Sequence, residues 1–147
     1  MIRYYKREGK RVTEVLDAEE ASWINISAPF VTEELTKLSE SRSIPLDYLT
    51  ASLDIDERSR YEVEDDVKLI VLNTPLLNQD EDSTKPIYIT APIGIILTPD
   101  HIVTISLLDN PILSSFIENR IKNFKPSDEK MFVLQIFEQN VYAFLDC

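Results

Sequence analysis

Residues 53–77 read LDIDERSRYEVEDDVKLIVLNTPLL, and the fold turns on how that run divides. Its first part, Asp54–Asp66, holds seven acids and two arginines. It then passes without a break into Val67-Lys68-Leu69-Ile70-Val71-Leu72. A block of charge alone is usually a solvated face. A block welded to an apolar run is an ordered acidic surface at the edge of a sheet. Leu69–Leu72 are all apolar. That predicts a strand over Val67–Leu72, extendable back to Arg60, with both faces covered.

Working outward, residues 2–8 and 11–16 read as strands around a turn at Gly9-Lys10. Ser22–Ser27 alternates Trp23, Asn25 and Ser27 against Ile24 and Ile26, a short strand closed by Pro29. Thr32 is expected to cap a helix, with Glu33 and Glu34 where the helix dipole favours acids. Pro45 opens a second short helix, running to about Ser52, with Leu46, Leu49 and Leu53 inward. Asn78–Lys85 is a polar loop. Strands follow at Ile87–Thr90, Ile93–Thr98 and Ile102–Leu107, the last two joined by a tight turn at Pro99-Asp100.

The period then changes. Asn110-Pro111 is a helix start, and Leu113, Phe116, Ile117, Ile121 and Phe124 fall on one helical stripe. Pro126 breaks it, and Ser127 is expected to cap a last helix with the stripe Val133, Ile136, Phe137, Val141 and Phe144. Trp23 reads as a core anchor. Strands, two short helices, more strands and two long C-terminal helices predict a three-layer α/β/α sandwich around a mixed β-sheet.

The 147 residues carry a net charge of −11. One domain over 1–147 is expected. So acidic a chain lacks the basic footprint of a nucleic-acid binder. Arg3, Lys6, Arg7, Lys10 and Arg11 cluster on the first hairpin, where they discourage edge pairing. The one cysteine, Cys147, allows no disulfide within the chain and points to a reducing compartment. The start MIRYYKREGK has no apolar core of a signal peptide. No run reaches the ~18 apolar residues that span a bilayer.

Few residues compete for chemistry. Asp54-x-Asp56 begins like a calcium loop, but Arg58 and Ser59 stand where a ligand and the turn glycine belong. Glu57, Arg58, Arg60 and Glu62 read as an ion-pair network, or as a subunit contact through an arginine fork. Asp65-Asp66 could meet a divalent cation, although neighbours on a strand point to opposite faces. His101 reads as a turn residue. The two glycines, Gly9 and Gly94, leave no phosphate-cradling loop, and no nucleophile–base constellation is present. The chain is not read as an enzyme.

Three segments carry a resemblance: Trp23-Ile24-Asn25-Ile26; Pro45-Leu46-Asp47-Tyr48-Leu49; and Leu53-Asp54-Ile55-Asp56-Glu57-Arg58-Ser59-Arg60-Tyr61-Glu62 leading into Leu69–Leu72. With the hairpin Ile93–Leu97 to Ile102–Ile105, they make the chain similar to the N-terminal cytoplasmic domain of the CorA family of magnesium and cobalt transporters. The resemblance implies a cytoplasmic regulatory domain of a divalent cation (Mg²⁺/Co²⁺) transporter. It implies a homopentamer on the cytoplasmic face of the cell membrane, anchored by a stalk and spans beyond residue 147. No cofactor is required. A regulatory Mg²⁺ or Co²⁺ between neighbouring domains is implied, yet the place of its carboxylate reads Thr50-Ala51. Asp47, Asp54 and Asp56 are the nearby substitutes. The alternative is a stand-alone acidic α/β interaction domain of the same fold. A metal-dependent hydrolase using Asp65 or Asp66 is a third reading.

Overall fold

Described residues of the computed structural model are 1–8, 11–78, 87–122, 124, 126 and 128–146. The Gly9-Lys10 turn, most of the 78–85 loop, Ser127 and Cys147 lie outside them. The described strands are β1 (Ile2–Glu8), β2 (Arg11–Val15), β3 (Trp23–Ile26), β4 (Arg60–Glu64), β5 (Val67–Asn78), β6 (Ile87–Leu97) and β7 (Ile102–Ser106). The α-helices are α1 (Thr32–Arg42), α2 (Leu46–Thr50), α3 (Pro111–Ile117) and α4 (Glu129–Leu145). The strands form one sheet in the order β2-β1-β3-β7-β6-β5-β4. β3 and β7 pair in parallel, with Asn25 opposite Thr104, and the other neighbours are antiparallel.

Helices cover both faces, as the order of segments predicts. Leu35, Leu38, Tyr48 and Leu49 of α1 and α2 pack on Ile24, Ile26, Leu69, Ile96 and Ile105. Leu113 and Phe116 of α3, with Phe132 and Ile136 of α4, pack on Trp23, Ile93 and Ile95 on the opposite face. Strand alternation divides the two sets: Trp23 and Asn25 face one way, Ile24 and Ile26 the other. Trp23 is the anchor of its layer. Its ring lies 5.0 Å from Tyr5, 5.2 Å from Phe132 and 5.8 Å, edge on, from Phe124. Its Nε1 donates to Thr104 Oγ1 at 2.8 Å.

Several boundaries differ from expectation, each for a local reason. The acidic run is not a leader into β5. Its later part, Arg60–Glu64, is a separate edge strand, β4, joined to β5 by a two-residue turn in which Glu64 pairs with Val67. Asp65 takes a left-handed φ of 54° there, which aspartate tolerates. Asp65 and Asp66 are therefore turn residues, not strand neighbours. β6 runs unbroken through Pro92. Its pairing with β7 begins only at Ile93, so Pro92 lies where no N–H is needed on that side. Pro75 lies likewise beyond the pairing of β4 with β5, which ends at Val71.

The caps also shift. α1 begins at Thr32 after Val31, which provides no side-chain cap. Pro45 occupies the cap position of α2, and Leu46 is exposed rather than inward. Asp128, not Ser127, caps α4, accepting from Met131 N at 3.1 Å. Asn110 caps α3 as predicted, accepting from Ile112 N at 2.9 Å. α3 has only seven residues, so one of the two C-terminal helices is short. Phe124 reaches the aromatic cluster from outside any helix. On α4 the buried line is Phe132, Ile136 and Asn140, while Phe137, Val141 and Phe144 point outward.

At the far edge, Asn119 ends the α3 segment with a φ of 59°. Its Oδ1 accepts from Val12 N at 2.6 Å and its Nδ2 donates to Val12 O at 3.2 Å. One side-chain amide thus takes both backbone groups of an edge-strand residue.

Candidate functional site

The acidic run is held by three attachments. Ser52, in the 3₁₀ turn Ala51–Leu53, is fully buried and donates to Ile105 O at 3.3 Å. Gly94 makes room for it, since a Cβ there would meet Ser52 Oγ at 2.7 Å. Next, Asp54 closes a local turn: its Oδ1 accepts from Asp56 N at 3.0 Å, and its carbonyl from Glu57 N at 3.1 Å. Finally, Asn73 of β5 reaches across the start of β4. Its Nδ2 donates to Glu57 O at 3.3 Å and to Ser59 Oγ at 3.2 Å.

The ion pairs follow from the pleat. Arg60 and Glu62 are two apart on β4, so their side chains share a face. Arg60 pairs with Glu57 and, at 3.5 Å, with Glu62. The network read from the sequence therefore contains Glu57, Arg60 and Glu62. Arg58 is exposed and makes no ion pair among the described residues. It is left as a cation on an acidic loop.

Residues Arg60, Glu62 and Glu64 pair with Val71, Leu69 and Val67, the face that carries α1 and α2. This brings α2 to the acids. Burial raises the Tyr48 phenol above its ordinary pKa, and the carboxylates of Glu62, Glu64 and Asp47 raise it further. Asp47 thus joins the β4 acids around one tyrosine. Asp54 and Asp56 stay in their own exposed turn. Among the described residues no three His, Cys, Asp or Glu side chains converge to hold a metal ion. Thr50 ends α2, its hydroxyl turned back to Leu46 O and Asp47 O at 3.4 Å.

His101 lies in the β6–β7 turn, as predicted. Thr98 Oγ1 organises that turn, accepting from His101 N at 2.9 Å and Asp100 N at 3.3 Å. Burial lowers the imidazole pKa, and Arg42 lowers it further against Asp100 and Glu19. No helix among the described residues is long and apolar enough to cross a membrane.

The fold is similar to the complete CorA magnesium transporter from Methanocaldococcus jannaschii: 20% identity, TM-score 0.74, 99% of this chain and 46% of that one. It is similar to the soluble domain of CorA from the same organism, at 22% identity and TM-score 0.73, covering 99% and 58%. The ZntB cytoplasmic domain from Vibrio parahaemolyticus matches at 15% identity and TM-score 0.60, covering 98% and 60%. The chain therefore spans about half the length of the solved chains it matches. No curated protein sequence matches it. The sequence profile described as "CorA-like Mg2+ transporter protein" matches residues 18–147. That match takes in the acidic edge, both helical layers and the parallel strand pair, and by it the chain belongs to the CorA-like family.

Proposed function

We propose that this chain is the regulatory domain of a divalent metal cation transporter carrying Mg²⁺ or Co²⁺. It works on the cytoplasmic face of the cell membrane, and the membrane path lies in polypeptide outside residues 1–147. The observation that carries this reading is the family match over residues 18–147. Likeness in fold to magnesium transporter and ZntB cytoplasmic domains supports it.

The regulation we propose is electrostatic. Copies of the domain stand side by side in a homopentamer, with the acids of α2, the Asp54 turn and β4 facing a neighbour. Like charges brought together repel, and a divalent cation between them screens the repulsion. High cation concentration then favours the packed, closed arrangement, and depletion lets the copies separate. Arg58 supplies a fixed cation at the same surface. The metal is shared between copies, since one copy does not collect three carboxylates among the described residues.

The test uses the complete gene product in liposomes loaded with a magnesium-sensitive dye. Uptake should occur, and should be suppressed by magnesium on the domain side. Neutralising Asp47, Asp54 and Asp56 together should weaken that suppression while leaving uptake intact. A gene product that moves no divalent cation refutes the transporter reading and favours a stand-alone interaction domain. Uptake whose magnesium suppression survives the triple substitution refutes the regulatory mechanism alone.

A further inference from the structure

One end of the sheet holds a polar cavity unconnected with the acidic edge. β3 and β7 are parallel neighbours, and the chain leaves them on opposite faces, toward α1 and α3 respectively. In open α/β sheets the crevice beyond the carboxyl ends of such a pair is where ligands bind. A cavity of about 250 Å³ lies there, lined from the sheet by Arg3, Tyr5, Asn25 and Ser106 and from the α3 side by Asp109 and Ser114.

The lining carries unspent hydrogen bonds. Asn25 is 8% exposed and Ser106 5%. Asn25 Oδ1 accepts from Thr104 Oγ1 at 2.7 Å, but Asn25 Nδ2 and Ser106 Oγ have no partner among the described residues. The Tyr5 hydroxyl is buried and makes no bond of ordinary hydrogen-bond geometry, although the Arg3 guanidinium lies beside it. Of these atoms the Tyr5 hydroxyl is sealed from solvent without a partner, while Asn25 Nδ2 and Ser106 Oγ are reachable from solvent with donors to spare, a set that suits a polar occupant.

Charge narrows the class. Arg3 brings a guanidinium whose paired acid, Glu14, is 4.0 Å away. Asp109 is exposed, without an ion pair among the described residues. Glu118 is already held by Arg120 at 2.9 Å. One cation, one free carboxylate and neutral donors between them suit a small zwitterion. The volume is below the ~300–1,000 Å³ of sites for drug-sized ligands.

We propose that this cavity binds a free α-amino acid. Its carboxylate lies on Arg3 and accepts from Asn25 Nδ2 and Ser106 Oγ. Its ammonium donates to Asp109. The site is independent of the transport reading and can be tested without it.

The experiment is an amide-resolved NMR titration of the 147-residue chain with L-serine, L-alanine and L-glutamine. Acetate, ethylamine and magnesium chloride serve as single-charge controls. Saturable shifts are expected for at least one amino acid, confined to the Asn25 side-chain amide, Ser106 and Asp109. Arg3→Gln and Asp109→Asn should each weaken binding about tenfold, the scale of one charge-assisted hydrogen bond. Glu14→Gln should not. Folding of each variant is checked by its dispersed spectrum. No saturable shift with any of the three, shifts that survive both variants, or equal shifts with a single-charge control would overturn the proposal.

Discussion

Replacing Gly94 by alanine should loosen the acidic edge from the sheet. The added Cβ would lie 2.7 Å from Ser52 Oγ and 3.1 Å from Ser52 Cβ. Ser52 is fully buried, so its hydroxyl can move away only by giving up the bond to Ile105 O. Overpacking costs about 1–3 kcal/mol. The lost hydrogen bond adds about 1 kcal/mol. Restricting the unfolded chain returns about 0.4–1 kcal/mol. The net loss is about 2 kcal/mol, or about 4–8 °C in Tm for a domain of this size. The assay is urea unfolding followed by Trp23 emission and far-UV circular dichroism; Trp23 is the sole tryptophan and is fully buried. A double-mutant cycle tests the cause. Gly94→Ala in a Ser52→Gly background removes the opposing side chain, so the double variant should be no less stable than Ser52→Gly alone. If the two single losses instead add to within about 0.5 kcal/mol, the close approach is not what makes glycine necessary.

Three further outcomes are expected. Trp23→Phe should cost about 2–3 kcal/mol in thermal unfolding, through lost ring volume and the lost donor to Thr104. Asn119→Ala should cost about 1–2 kcal/mol and raise the rate of aggregation in light scattering, since Val12 then has a free N–H and C=O. His101 has a folded pKa below its ordinary value, so the unfolded chain binds more protons in the window between the two. Its contribution to stability is present above the ordinary value of about 6.5 and is lost as pH falls through the folded one. Tm against pH for His101→Asn should be flatter than for the parent across that window, and equal slopes would refute the shift.

The layers and the two hairpins, β1–β2 and β6–β7, were legible because they rest on short-range pattern. Alternation at Trp23–Ile26, the Asn110-Pro111 start and the Pro99-Asp100 turn each depend on residues a few positions apart. What was not legible depends on pairing across the chain. Ile87–Thr90 and Ile93–Thr98 read as two strands, yet they are one, because β7 begins to pair only after Pro92. The outward Phe137, Val141 and Phe144 were indistinguishable from core by spacing alone. The site divides the same way. The ion pair of Arg60 with Glu57 and Glu62 follows from spacing, whereas Asp47 beside Glu62 and Glu64 requires α2 to be laid against the sheet. Gly94 had a signal that went unread: a glycine inside a strand marks close approach of another group. The polar row of Asn25, Thr104 and Ser106 gave none, because its members meet only through the parallel register.

The amide of Asn119 has a consequence for how this sheet could be extended. A visiting strand at β2 would need the slot at Val12 that the amide already fills, so docking there requires eviction before any gain. β4, at the opposite margin, has its Arg60 and acids but no such plug among the described residues. The ladder is therefore one-ended. Fibrillar stacking, which needs a donor and an acceptor margin on every molecule, is halted after a single addition.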